Sequence, residues 1–351
     1  IGMGLAQADL TEWHHVQIKS HIYTKNLDLS GFVSAYQNAL AAAKVTAAKA
    51  DKMATSLKTA LNTAIDTYDE GKVSLEDADA METATDALKT ATAKAETSIA
   101  SYAIIAAGTI PDNSLEGWTC TNTDIFHINT WSVEGNSDGS NMKTPFIENW
   151  VGKGSYLGAG KVYYRLEGLE PGEVYYASAL VRSYNEANSD APNGPNFYIN
   201  NVTTDLASDG TTFTYNGMSG IYATLGGAAT IGENGILELG VEIAEDRNYN
   251  WVAFKNVSIQ SMDDAFNAAV AKVTVLKGTV PTGVYNTAHA VVEKYSAGGS
   301  EGYPTSASEF ETAIAAIEAA ATTAVESIEP YANYNTLKTA VQALYDVGLG
   351  Y

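Results

Sequence analysis

Apolar residues along this chain change period twice. From Gly31 to about Ala107 they recur every three or four residues: Phe32, Tyr36, Leu40 and Ala43, then Met53, Leu57, Leu61, Ala64 and Tyr68. A third set is Leu75, Met81, Leu88, Ala91, Ala95, Ile99 and Tyr102. That spacing puts each set on one helical face, and three such helices predict an antiparallel bundle. The seam is alanine-rich, so the helices should approach closely. Asp69-Glu70-Gly71 breaks the pattern before the third helix, and Ser74-x-x-Asp77 reads as a capping box opening it.

Helical spacing stops at Gly108-Thr109-Ile110-Pro111. Beyond it, Ile236 to Ile243 alternates, with Leu237, Leu239, Val241 and Ile243 on one face. Val162, Tyr164 and Leu166 alternate likewise, as do Tyr175, Ala177, Ala179 and Val181, and Phe197 with Ile199. Glu170-Pro171-Gly172-Glu173 has the composition of a turn joining two strands. Val252 and Phe254 keep one parity while Val257 and Ile259 keep the other, which predicts a bulge at Lys255-Asn256. Short strands at this density predict an antiparallel sandwich, of jelly-roll type.

After Ser261 the helical period returns. Met262-Asp263-Asp264 opens a helix through Phe266, Val270 and Val273, and a second covers Val284 to Tyr295. A third carries Phe310, Ile314, Ile317, Ala321 and Val325 and is expected to stop at Glu329-Pro330, with a fourth from Asn333 to Leu344. Tyr331 to Leu337 reads as a new unit beginning, so the chain is expected to be a fragment of a longer protein. The predicted layout is therefore α+β and multidomain: 9–30 extended, 31–108 a three-helix bundle, 109–261 a β-sandwich, 262–351 a second, truncated helical bundle.

Composition sharpens this picture. The 351 residues hold 41 acidic and 20 basic side chains, a formal charge of −21, which repels phosphate backbones and anionic lipid and argues against nucleic-acid or membrane-surface partners. No run of about eighteen apolar residues exists, so no membrane span is predicted. Residues 1–8 end in Ala6-Gln7-Ala8, the small-x-small pattern of a signal-peptide cleavage site, which predicts a secreted or cell-surface protein. Cys120 is the single cysteine, so no intrachain disulfide forms, and a small packed residue is the expected role.

Catalytic patterns are scarce. His14, His15, His21, His127 and His289 include no His-Glu-x-x-His, there is no Gly-x-Ser-x-Gly, and Gly226-Gly227 lacks the Lys-Ser/Thr of a phosphate loop. Glu134, Glu148, Glu238, Glu242 and Glu245 lie in the sandwich. Glu238 and Glu242 share a strand face that could bring them within the separation glycoside hydrolysis requires, although a solvated face fits better. No cofactor is expected. Oxygen-rich stretches near Asp112, Asp124 and Asp138 leave a structural calcium open.

Aromatic residues stand apart. Four of the five tryptophans (118, 131, 150 and 251) fall in the sandwich, several in loop-like contexts. Sugars present a flat C–H face and a rim of hydroxyls, which an aromatic platform flanked by amides, carboxylates or arginine complements. Trp131, Glu134, Asn141, Trp150, Arg182, Tyr184, Asn185 and Trp251 are of these types and form the candidate ligand-binding set.

Leu115-Glu-Gly-Trp118-Thr, Phe126-His-Ile-Asn-Thr-Trp131-Ser-Val-Glu-Gly135 and Thr144-Pro-Phe-Ile-Glu-Asn-Trp150-Val resemble a domain of secreted modular proteins of Bacteroidota. Leu166-Glu-Gly-Leu-Glu-Pro-Gly172, Ala179-Leu-Val-Arg182-Ser-Tyr-Asn-Glu186 and Asn250-Trp-Val-Ala-Phe-Lys-Asn-Val257 extend the likeness, which covers about Ile110 to Gln260. The domain is similar to galactose-binding-like jelly rolls, the shape of many carbohydrate-binding modules, and the flanking bundles resemble FIVAR-like helical spacers. The resemblance implies an exported, non-catalytic protein with a glycan or cell-surface polysaccharide as partner. A structural or adhesive subunit of a surface fibre, with protein partners or self-association, is the alternative. A third is the accessory region of a polysaccharide-degrading enzyme.

Overall fold

A computed structural model describes residues 28–121, 127–129, 146–184, 195–200, 202–205, 223–243 and 250–348. Three helices come first: α1 (Ser30–Ala47), α2 (Thr55–Thr67) and α3 (Ala78–Ala107). Their stripes meet in one core in which Tyr36, Leu40, Ala43, Leu61, Met81, Ala84, Leu88 and Ala95 are buried. The cap of α3 differs from expectation. Asp77, not Ser74, is the N-cap, its Oδ1 accepting from the amides of Asp79 (3.0 Å) and Ala80 (3.1 Å). A carboxylate serves this position better than a hydroxyl three residues upstream, because it also meets the positive end of the helix dipole.

Ten strands follow: β1 (Trp118–Cys120), β2 (His127–Asn129), β3 (Phe146–Trp150), β4 (Gly160–Glu167), β5 (Val174–Tyr184), β6 (Asn196–Ile199), β7 (Val202–Asp205), β8 (Ala223–Thr230), β9 (Ile236–Ile243) and β10 (Trp251–Ser261). They form two five-stranded sheets, β1-β4-β9-β6-β7 and β2-β3-β10-β5-β8, and each pairing is antiparallel. One face of each turns to a common core. Leu237, Leu239, Val241 and Ile243 from β9, Val162 and Leu166 from β4, and Phe197 and Ile199 from β6 meet Ile147, Val181, Val252, Phe254, Val257 and Ile259. The parity change in β10 is a bulge: the register with β5 shifts between Lys255 and Ser258, and Asn256 takes φ 54°.

The first helical unit grips the sandwich. Helix α3 is 30 residues long, and its last turns leave the bundle core: Tyr102 and Ile105 join the core of the sheets. Small polar residues let it approach the β4–β5 turn. Ser98 Oγ accepts from the Ala54 amide (2.9 Å) and donates to the Gly168 carbonyl (2.5 Å), while Ser101 Oγ donates to the Glu167 carbonyl (2.8 Å). Glu173 closes the contact. Its carboxylate accepts from Tyr102 Oη and Tyr175 Oη, both at 2.6 Å, and from Lys52 Nζ at 2.8 Å.

At the other end, β10 runs straight into α4 (Met262–Thr274), capped by Ser261 Oγ accepting from the Asp264 amide (3.3 Å). α5 (Thr282–Lys294) and α6 (Ala307–Val325) complete a second core, and Val174 and Ala228 from the outer face of the β5/β8 edge belong to it. Apolar positions recur at matching spacing between α2 and α5 and between α3 and α6. Leu57, Leu61, Ala64, Ile65 and Tyr68 of the first correspond to Val284, Ala288, Val291, Val292 and Tyr295 of the second. Met81, Ala84, Leu88 and Ala95 correspond to Phe310, Ala313, Ile317 and Ala324. Last comes α7 (Ile328–Gly348). Pro330 does not end a helix as expected but sits in the first turn of α7, where a missing N–H costs nothing.

Candidate functional site

Alternation decides where each candidate residue lies. In β10, Val252 and Phe254 face the sandwich core, so Trp251, Ala253 and Lys255 occupy the opposite, outer face. Antiparallel register carries that face across three strands. Trp251 pairs with Trp150 on β3 and Tyr184 on β5, Ala253 pairs with Glu148 and Arg182, and Lys255 pairs with Leu180. Three predicted aromatic positions thus fall in a single row, with a carboxylate and a guanidinium in the next.

Within these rows Trp150 is 54% exposed and Trp251 only 5%. Trp251 Nε1 donates to Glu148 Oε2 at 2.7 Å, and the Arg182 guanidinium lies over the indole with Cζ 5.2 Å from the ring centroid. Asn250 fixes the entry to β10: its Nδ2 donates to the Val151 carbonyl (3.0 Å) and its own carbonyl accepts from the Val151 amide (2.8 Å). Glu148, Arg182 and Lys255 are all buried, as is Phe146 beside them.

Two expectations change here. Trp251 and Arg182 are not open loop residues but buried strand residues, because β10 already begins at Trp251 and the alternation assigns both to a sheet face. Tyr184 likewise ends β5 instead of standing in a loop. Trp131, Glu134, Asn141 and Asn185 lie outside the described residues. Sequence reasoning weighed Glu148 only as one of several carboxylates and passed over Lys255. The signal was present, since Glu148 stands two residues before Trp150 and so shares its face.

The outer face of the other sheet is occupied differently. Glu238 accepts from Tyr198 Oη (2.9 Å) and pairs with Arg165 (2.7 Å), while Glu242 lies 3.7 Å from Lys161. Burial and the neighbouring Glu238 push the Tyr198 hydroxyl well above its ordinary range. Four residues along a strand span about 13 Å. The idea that Glu238 and Glu242 could share one reaction centre is corrected on that ground, for two-carboxylate hydrolysis needs roughly 5 to 9.5 Å.

Cys120 is half-buried, and burial pushes its thiol up, away from the reactive thiolate. Among the described residues no three His, Cys, Asp or Glu side chains form a metal-binding cluster. Asp112, one of the suggested oxygen ligands, instead accepts from the Val257 amide (3.4 Å). Asp124 and Asp138 lie outside the described residues. No helix among the described residues is long and apolar enough to cross a membrane.

No protein-family model and no curated protein matches the chain. Solved structures do. TmCBM61 in complex with beta-1,4-galactotriose is 11% identical over 44% of this chain and 98% of its own, at a TM-score of 0.30. The CBM22-1 xylan-binding domain of Paenibacillus barcinonensis Xyn10C is 13% identical over 44% and 91%, at 0.29. The N-terminal cellulose-binding domain of Cellulomonas fimi beta-1,4-glucanase C is 13% identical over 43% and 91%, at 0.25.

Proposed function

We propose that this protein is an exported, non-catalytic glycan-binding module of jelly-roll type, its helical units acting as spacers. The observation that carries the reading is the tryptophan pair on the outer sheet face. Exposed Trp150 stands in register with Trp251, whose indole is held at its edge by Glu148 and over its face by Arg182. Buried charges rarely stabilise a fold, since apolar replacements of similar volume are often neutral or better. Glu148, Arg182 and Lys255 buried on the face away from the core are therefore expensive as structure and useful as a rigid polar floor. That floor holds Trp251 in place beside Trp150, whose open indole is the surface that would take a sugar's C–H face.

The carboxylates support a binding role over hydrolysis. Glu238 and Glu242 are each engaged by a cation and lie too far apart along β9, which favours binding without bond cleavage. A single shallow site of this kind holds its ligand at micromolar to millimolar strength, corresponding to roughly −8 to −4 kcal/mol.

Calorimetric titration against soluble plant, mucin and microbial polysaccharides tests this directly. Trp150→Ala should weaken any binding at least about tenfold, the loss of one exposed stacking contact, with the thermal midpoint unchanged. No heat across the whole panel, or binding indifferent to Trp150, refutes the proposal.

A further inference from the structure

Helix α7 has no use in this reading, and among the described residues it carries the longest run of exposed large apolar side chains. Every residue from Ala332 to Val347 is exposed, including Tyr334, Leu337, Val341, Leu344 and Tyr345. Tyr334, Leu337, Val341 and Leu344 are spaced three, four and three, so they make one stripe. Helices in proteins draw most of their stability from tertiary packing of an apolar face, and this 21-residue helix has no such packing among the described residues. Its sequence calls for something to pack against.

The chain itself shows what that is. Leu337-Lys338-Thr339-Ala340-Val341-Gln342 repeats Leu57-Lys58-Thr59-Ala60-Leu61-Asn62 of α2, and Asp346 falls where α2 has Asp66. In α2 this stripe faces the bundle: Leu61 is 0% exposed, and Ala64 and Ile65 are half-buried beside it in the core that α3 completes with Met81, Ala84 and Leu88. The matching residues of α7 are open, Leu337 at 65% and Val341 at 56%. Repetition also runs just ahead of α7. Ser98-Ile99-x-x-Tyr102-Ala103 at the end of α3 recurs as Ser327-Ile328-x-x-Tyr331-Ala332, a separate repeat in the register that aligns α3 with α6.

We infer that α7 is a helix of the α2 type whose Leu337–Val341–Leu344 stripe docks an alanine- and threonine-rich amphipathic helix of the α3 type. That partner offers one large apolar residue per two turns, as α3 does with Met81 and Leu88, and small residues between them, so the backbones close tightly. Pairing of two α7 helices from separate copies fits less well. Its seam would run for only two heptads, short of the three to four that sustain a coiled coil.

The probe is a labelled synthetic peptide of residues 77–98, titrated into the full chain and read by fluorescence anisotropy. The comparison protein carries Leu337→Asp and Val341→Asp, two exposed positions whose change leaves the described cores intact. Saturable binding, weakened at least about tenfold in the double variant, supports the inference. Circular dichroism should show helix content rising when peptide is added to the unaltered chain. Absence of saturable binding overturns it, as does equal affinity for both proteins, which would mean exchange with the chain's own α3. Sedimentation showing a dimer of the unaltered chain, dissolved by the double variant, would make the occupant a second copy and overturn it as well.

Discussion

Glu173→Gln isolates the contact by which the first helical unit holds the sandwich. The wild-type carboxylate is 24% exposed and accepts from two buried tyrosine hydroxyls at 2.6 Å and from Lys52 at 2.8 Å. A hydrogen bond to a charged acceptor is worth about 1.5–3 kcal/mol, a neutral one about 1 kcal/mol. Glutamine keeps one acceptor oxygen but loses the charge at both hydroxyls. Lys52 is 61% exposed, so its share is roughly 0–1 kcal/mol. The expected loss is about 2–3 kcal/mol, or roughly 4–12 °C in the thermal midpoint of a unit this size.

A pH signature separates this from general damage. Burial alone would raise the Glu173 carboxyl, but the bonds from Lys52, Tyr102 and Tyr175 outweigh it and hold the group below the ordinary 4.5. A depressed folded value means the stabilisation is complete above about pH 5 and disappears as pH falls through the folded value. Calorimetry of wild type and variant between about pH 7 and pH 2 should show a gap that closes on acidification. Tyr102→Phe in both backgrounds completes a cycle whose coupling should exceed about 1 kcal/mol. A gap at pH 7 under about 0.5 kcal/mol, or one that stays constant with pH, refutes the assignment.

Two further outcomes follow from single positions. Asn149 is fully buried on the core side of β3, and neither its Nδ2 nor its Oδ1 has a hydrogen-bond partner among the described residues. Asn149→Leu should therefore leave stability unchanged or raise it by about 1–2 kcal/mol in urea denaturation, and a loss beyond about 1 kcal/mol would show that the amide is satisfied in solution. Gly240 sits in register between Tyr163 and Tyr198, and an added Cβ would come 2.0 Å from the Val162 carbonyl oxygen and 2.7 Å from Tyr163 Cα. Both are backbone atoms that cannot swing away, so Gly240→Ala should cost about 1–3 kcal/mol by thermal melting, and a neutral result would mean β4 and β9 separate easily.

The alternating runs made one side of each sheet legible. Leu237, Leu239, Val241 and Ile243 are all buried in the common core, and the parity switch in β10 located its bulge to within a residue. The candidate face was less legible for a specific reason. Alternation tells which side chains leave the core, but a residue on the far side reads the same whether water or protein lies over it. Trp251, Arg182 and Lys255 look like solvent-facing positions by that rule and are buried nonetheless. Local rules also misplaced the start of α3, where Asp77 outcompetes Ser74, and the stop at Pro330, which the first turn of α7 tolerates. Both mistakes treat a signal that is valid at one helix position as valid a few residues away.

The same sheet face serves two purposes, and their division constrains any ligand. Along β5 the outward residues run from Arg182 through Leu180 to Tyr176 and Val174, about 26 Å at 3.3 Å per residue. At the Val174 end, Met262 and Phe266 of the second helical unit pack onto the face with Val174 and Ala228, and Tyr176 lies against the same core. A chain-like ligand cannot continue along the strands past that point. The row Trp150–Trp251–Tyr184 crosses β3, β10 and β5 at the opposite end, about 10 Å from first strand to last. A glycan bound as proposed would therefore lie across the strands, with Trp150 at its open edge and the second helical unit at the far end of the face. Phe266→Ala, about 20 Å from the Arg182 row at 3.3 Å per residue, should therefore lower the thermal midpoint and leave affinity for a short sugar unchanged in calorimetric titration, and a weakened affinity would refute the crosswise placement.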